Sequence, residues 1–405
     1  MTRDAADRIS RCFDFVSPPD DSAVGPARFC FCLPNERALA TWPDFPRTAL
    51  PETGRAAAGR GLGWDQCRVS ALGEAVELAS ACAWGNEPLV SARPNEIGRN
   101  ALDPSQLSAL SVEQVAHRDR WNNSLFGQVD WFPPPVAQDR PVDWVAGSHA
   151  VTGDAIWVPA DVVFVGRWED HPDTALARAD TSGCASAPNM AQARLHALCE
   201  VIERDATARW WHGHVPAAPL PDTIIADHVD LRKYLSDRPR RTRCLWLGSE
   251  FGPHTVVALS WGRDGGRVAL GAASRFNPRD AALCACVEML QTELGIAQRE
   301  RAGEPLTLDW IAHVSARDMP PVSGSEPTLP PQPDPVSETA LTKLIERLSL
   351  SGLTPLFVDL TRPAFQIPAC RVLVPELCPA KPRFGAARMP KNAAGNVANP
   401  RPLAV

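Results

Sequence analysis

Glu74 and Glu77, Glu200 and Glu203, and Glu288 and Gln291 form three pairs of acidic or amide side chains, each pair three residues apart within apolar, helix-favouring sequence. Side chains at that spacing share one face of a helix. Neighbours such as Ala71, Leu72, Ala75 and Val76, or Ala197, Leu198, Cys199 and Ile202, place the carboxylates at a partly buried surface. A buried carboxylate is unfavourable unless a cation or hydrogen-bond donors compensate it. The three pairs therefore point to helices converging on one strongly cationic ligand. Oxygen donors on rigid helices suit magnesium, which keeps part of its water shell and bridges to phosphate oxygens. Small-residue turns ahead of the second and third pairs would let backbone N–H groups approach phosphates. Together these features predict a nucleoside triphosphate held by magnesium without a Walker loop. No G-x-x-x-x-G-K-[ST] occurs, and Gly59-Arg60-Gly61-Leu62-Gly63 alone is too weak to read as a phosphate loop.

The elements that must position these pairs follow from periodicity and punctuation. Helices are predicted over residues 64–83, with Asp65 near the start and Gly85 past the end, over 190–211, over 278–301 and over 337–351. Strands are predicted over 27–33, 142–148 and 155–160, the last two flanking a Thr152-Gly153-Asp154 turn, with 161–165 continuing the second of them. Residues 180–186 read as a small-residue loop feeding the second helix, 85–140 as loop-rich, and 244–247, 255–261, 268–273 and 355–360 as further strands. The fold class is α+β, mixed sheets with packed helices. Residues 1–55 are expected to be an extended, strand-bearing part of the core domain and 55–315 the catalytic core. Residues 316–337 read as a Pro-rich surface loop, and 338–405 as the C-terminal part of the same domain with a Pro-containing tail.

Composition excludes several classes. The 405 residues, 44% hydrophobic, can bury a large core. No apolar run is long enough to span a membrane, and the polar, acidic N-terminus lacks the features of a signal peptide, so the expected location is cytoplasmic. A formal charge of -6 argues against nucleic-acid binding, and the short cluster from Arg238 to Arg243 reads as a solvated loop. Twelve cysteines include no C-x-x-C pair and read as reduced core thiols. Trp210-Trp211 reads as core or pocket wall, His149, His196 and His212 as structural, and no Ser-His-Asp or Cys-His constellation stands out.

At the paired segments the chain resembles the YcaO family, in particular the azoline-forming cyclodehydratases of streptolysin-type and microcin-type peptide biosynthesis. Gly59-Arg60-Gly61-Leu62 followed by Ala71-Leu72-Gly73-Glu74-Ala75-Val76-Glu77 resembles the family's G-K-G-L and A-L-G-E-A-x-E-R. Asp180-Thr181-Ser182-Gly183-Cys184-Ala185 through Glu200-Val201-Ile202-Glu203-Arg204-Asp205-Ala206 and Trp210-Trp211 resembles D-S-N-G-C-A through E-x-x-E-R-D-A and W-W, the most specific match. Gly271-Ala272 through Glu288-Met289-Leu290-Gln291 resembles the E-x-x-Q helix. Arg60 stands for the usual Lys, Leu78 for an Arg, Gln192 for a carboxylate, and Glu293 lies near a common Arg.

The resemblance implies an enzyme that uses ATP and Mg2+ to phosphorylate a backbone amide oxygen after attack by a substrate Cys, Ser or Thr, leaving an azoline. It implies catalytic roles for Glu200, Glu203 and Arg204. Cofactor contacts would come from these three with Glu74, Glu77, Ser182, Glu288 and Gln291, and magnesium contacts from Glu74, Glu77, Glu200, Glu203 and Glu288. The tail Asn399-Pro400-Arg401-Pro402 resembles the family's Pro-rich terminus, which reaches the active site. Expected partners are a precursor peptide, a separate leader-binding E1-like protein, since the first 55 residues are too few for such a module, and a flavin dehydrogenase, around a homodimer within a heteromeric complex. Thioamide formation from external sulfide, and a nucleotide- or peptide-binding scaffold without turnover, are the alternatives.

Overall fold

The structure is a computed structural model that describes residues 9–18, 24–98, 100–137, 139–329, 337–391 and 397–403. The N-terminal segment read for targeting, the end of the Pro-rich stretch and the last two residues of the tail lie outside the described residues.

Thirteen named strands fall into three sheets whose strand ladders are antiparallel. The first sheet is β1 (Phe13–Val16), β2 (Arg28–Pro34) and β3 (Ala57–Gly61). The second runs β4 (Val90–Ala92), β5 (Val142–His149), β12 (Leu356–Asp359), β13 (Ala369–Leu373), β7 (Cys184–Ser186), with β6 (Ala155–Pro159) also paired to β5. The third is ordered β11 (Ala269–Arg275), β10 (His254–Trp261), β9 (Arg241–Gly248), β8 (Ala218–Pro219). Among the described residues no helix is long and apolar enough to cross a membrane.

Three helices tie the sheets together: α1 (Trp64–Ala81), α2 (Met190–Gly213) and α3 (Pro278–Arg301). Their starts carry the expected signals. Asn189 caps α2 through the Gln192 N–H, and Asn277 caps α3 ahead of Pro278. Helix α1 packs on β2, β3 and β7, α2 lies against β13, β7 and β11, and α3 covers β11 and β10. Two further helices, α4 (Pro305–His313) and α5 (Ser337–Leu350), close the periphery.

Each of the three main helices follows a small-residue strand, and glycine allows the closest approaches. A Cβ on Gly59 would collide with the backbone of Cys67 and Ala71 in α1, and one on Gly271 with Ala285 and Met289 in α3. The apolar faces merge into clusters such as Val256, Ala258, Ala285 and Met289 beneath α3, and Leu198, Ile202, Phe357 and Val372 beneath α2. Trp210 and Trp211 are buried, as expected, in the latter's last turns. All twelve cysteines are free and eleven are buried.

Several local expectations are corrected. Residues 160–163 form a helical turn after Pro159 instead of prolonging β6, and the Asp161 carboxylate within it accepts from the Leu176 N–H and Arg167. Cys184–Ser186, read as loop, pairs with β13 as an edge strand. The stretch 85–140 holds β4 and short helices. Part of the Pro-rich segment is also tied down, since Pro321 and Ser323 exchange backbone hydrogen bonds with Ala217.

Candidate active site

A cavity of about 810 Å³ opens where the three sheets meet, within the volume range of small-ligand sites. β3 contributes Arg60, α1 contributes Glu74 and Glu77, and the loop before β7 contributes Thr181. Helix α2 adds His196, Glu200, Glu203 and Arg204, β11 adds Arg275, and α3 adds Glu288, Gln291, Gln298 and Arg299. All three predicted pairs thus face one space. Ser182 is the exception among the predicted site residues: Thr181 lines the wall, while Ser182 donates its N–H to Asp180 Oδ1 and its carbonyl accepts from Arg371.

Two arginines organise the carboxylates. Arg60 Nη2 lies 2.8 Å from Glu288 Oε2, and its Nη1 donates to Gln291 Oε1 at 3.1 Å. Arg204 Nη2 donates to Glu200 Oε1 at 3.2 Å, and its Nη1 stands 3.7 Å from Glu203 Oε1. The Gly183 N–H donates to the other Glu200 oxygen at 3.3 Å. Nearby, Lys381 Nζ sits 3.0 Å from Asp180. Burial opposes the charge on Asp180, but Lys381 and Arg371 hold its carboxyl far below the usual range.

The remaining charge is not balanced. Burial, opposed by Arg60 and reinforced by Glu288 and Glu200, pushes Glu74 up to about 7. Burial, opposed by Arg204 and reinforced by Glu288 and Glu200, does the same for Glu203, up to about 7. Burial and then Glu200 and Glu74 raise Glu77 well above the usual range, and burial raises Glu200 despite Arg204. Arg204 is raised in turn, because Glu203, Glu200 and Glu288 more than offset its own burial.

This donor set fits Mg2+ with a nucleotide. Five glutamates converge, burial and then neighbouring carboxylates raise Glu74 and Glu203 to about 7, and a divalent cation would relieve that strain. Among the described residues the buried Arg204 Nε has no acceptor, and a phosphate oxygen would serve as one. Among the described residues no three such groups form a ready-made metal cage. Magnesium does not require one, since it takes one or two carboxylates and completes its shell with water and phosphate.

The residues that sequence reasoning left out of the site are Arg60, Arg275, Arg299, Gln298 and His196. Arg60 stood inside the quoted Gly-rich segment. Arg299 follows Gln291 by about two helical turns, a spacing that could have flagged it. His196 lines the cavity instead of serving only the core. Of the residues that depart from the family pattern, Arg60 lines the cavity and the other three lie off it. Glu293 faces Arg238 and Arg240, Gln192 is occupied with the Asn189 cap, and Leu78 is core.

A family model described as YcaO cyclodehydratase, ATP- and Mg2+-binding, matches residues 58–378. An uncharacterised protein of Methanothermobacter thermautotrophicus is 25% identical over 338 residues, 79% of this chain and 81% of that protein. A protein encoded in the tfuA 3' region of Rhizobium leguminosarum bv. trifolii is 28% identical over 150 residues, 37% of this chain and 30% of that protein. Among solved structures, a heterocyclase in complex with substrate and cofactor has a TM-score of 0.83 at 21% identity over 99% of this chain, which spans only 57% of that protein's length. YcaO from Methanopyrus kandleri, bound with AMPPCP and Mg2+, has a TM-score of 0.63 at 20% identity, covering 98% of this chain and 93% of that one. A chain of the E. coli microcin synthetase McbBCD complex with pro-MccB17 bound has a TM-score of 0.59 at 14% identity, covering 90% and 88%. These structural likenesses establish the shared fold. Because the family match runs through all three paired segments that build the cavity, the chain belongs to the YcaO cyclodehydratase family, whose members bind ATP and Mg2+.

Proposed function

We propose that the chain is an ATP-dependent cyclodehydratase converting Cys, Ser or Thr residues of a ribosomally synthesised precursor peptide into thiazoline or oxazoline rings. The observation that carries this reading is the convergence of Glu74, Glu77, Glu200, Glu203 and Glu288 with Arg60 and Arg204 on one cavity. The glutamates are the candidate magnesium ligands. Arg204, with Gln291, is the candidate phosphate binder, whereas the Ser182 and Gly183 N–H groups are taken by Asp180 and Glu200. When bound, ATP with Mg2+ supplies the phosphoryl group that turns the attacked amide oxygen into a leaving group. The protein's own work is positioning and charge. Arg60 and Arg204 fix the orientation of Glu288 and Glu200, and helices α1, α2 and α3 carry the five glutamates.

By likeness to its family, the protein would receive its peptide from a leader-binding E1-like partner, work as a homodimer within a heteromeric complex, and pass azolines to a flavin dehydrogenase. A second reading, thioamide formation with external sulfide, draws on the tail. Residues 397–403 dock on the far end of α2, where Arg401 O accepts from Trp211 Nε1 and Asn399 O from His212, and none of them lines the cavity.

The test incubates the protein with ATP, Mg2+, its peptide and partner, and reads peptide mass. Each ring removes about 18 Da as phosphate leaves with the amide oxygen, whereas a thioamide adds about 16 Da. Glu200→Ala and Glu203→Ala are expected to abolish the change. Unchanged turnover in both would overturn the site, and no ATP-dependent mass change in the wild type would leave a binding scaffold.

A further inference from the structure

A second cavity, of about 680 Å³, lies on another face of α3 and takes no part in the site described above. Its position is set by the short edge strand of the third sheet. β8 pairs only with Leu245 and Trp246, the Leu220 N–H adds one bond to Cys244 O, and the chain then leaves at Pro221 for a 3₁₀ turn. β10 pairs with Arg241, Thr242 and Arg243 on one side of β9, but among the described residues no strand lies on their other side, where the cavity is lined by all three. An open β-edge is a template for an extended chain.

The chemistry of the walls selects that chain. Arg241 and Arg243 share one face of β9 and are exposed, and Arg263 is exposed on the same rim. None of these three has an ion-pair partner among the described residues, and a single carboxylate, Asp222, also lines the space. Arg238 is 94% buried in its side chain, held by Glu293 at 2.8 Å, yet its Nε finds no acceptor. Another part of the lining is apolar, with Ile224, Leu235, Cys244 and Cys286. A paired strand sends alternate side chains to its two faces. On a chain of net charge -6, this local positive basin attracts an acidic ligand.

We infer that the open edge of β9 at Arg241–Arg243 binds an extended segment of a partner polypeptide in which acidic and apolar residues alternate. The carboxylates meet Arg241, Arg243 and Arg263, the apolar side chains enter the cavity, and the peptide backbone continues the sheet. Single-stranded nucleic acid fits less well, because it can neither pair with a β-edge nor use the aliphatic wall.

The test is fluorescence anisotropy of the full chain with a fluorescein-labelled peptide of alternating Glu and Val. The expected result is saturable binding, weakened by salt and reduced about tenfold or more in Arg241→Glu/Arg243→Glu, whose exposed positions leave the thermal melt unchanged. Arg263→Glu alone, a second exposed change, is expected to weaken binding by about threefold. A version methylated on alternate backbone amides should bind worse. The inference is overturned if the variants bind as the wild type does, if an alternating Lys and Val peptide or the methylated version binds equally, or if a single-stranded oligonucleotide competes more strongly than the peptide. It is also overturned if the double variant instead abolishes self-association of the chain, which would make a second copy the occupant.

Discussion

Replacing Glu203 by Gln should stabilise the protein without ligands while abolishing its ATP-dependent chemistry. Glu203 is buried beside Arg204 and shares the cavity with Glu200 and Glu288, and its carboxyl sits at about 7 instead of 4.5. The folded chain therefore holds this proton more tightly than the unfolded chain does. The stabilisation is fully present below about pH 4.5 and is lost as the pH rises through about 7. The difference corresponds to about 3 kcal/mol at pH 8 and under about 1 kcal/mol at pH 5. Gln has the shape of the protonated acid and does not ionise, so Glu203→Gln should recover that amount at pH 8. With an unfolding entropy of about 2 cal/mol/K per residue, the gain is about 3 to 4 °C in Tm. Thermal unfolding of both proteins at pH 8 and pH 5, with and without Mg2+, measures it. Magnesium should raise the wild type at pH 8 more than the variant. A variant no more stable than wild type at pH 8, or one stabilised equally at both pH values, would refute the account of crowded, under-compensated carboxylates.

Further changes probe other parts of the argument. Arg60→Met removes the partner of Glu288 and Gln291; it should lower affinity for a non-hydrolysable ATP analogue about tenfold or more by calorimetry, with a stability change of about 1 kcal/mol, and unchanged affinity would exclude Arg60 from the site. Gly271→Val should destabilise by about 3 kcal/mol or more, because its Cβ meets the α3 backbone, and a normal melt would disprove that close approach. Trp211→Phe deletes the bond to Arg401 O and should speed limited proteolysis within the last ten residues while shifting the global melt by only about 1 kcal/mol, so an unaltered cleavage pattern would show that this contact does not anchor the tail.

The paired glutamates, the three helices that carry them and the strand before the third were legible in the sequence, because each rests on short-range regularities. These are three-residue spacing on a helix, Asp65 at the start of α1, and the continuous apolar run of β10. Even the convergence of the pairs could be inferred, since isolated carboxylates in apolar surroundings demand a shared counter-charge. Arg204, four residues after Glu200, could be read from the sequence, but tertiary structure alone brought Arg60 to the third pair. Arg60 reaches Glu288 across 228 positions of sequence, and nothing local announces such a pair. It likewise decided that Cys184–Ser186 is a strand, because three residues become one only when β13 supplies the partner, and that residues 160–163 leave β6 as a helical turn whose Asp161 carboxylate accepts from the Leu176 N–H. The arginine cluster from 238 to 243 shows the same division. Its charge is plain from the residues, but whether it is a solvated loop or one wall of a cavity depended on where β8 leaves the sheet, and strand edges are set by long-range pairing, not by local propensity.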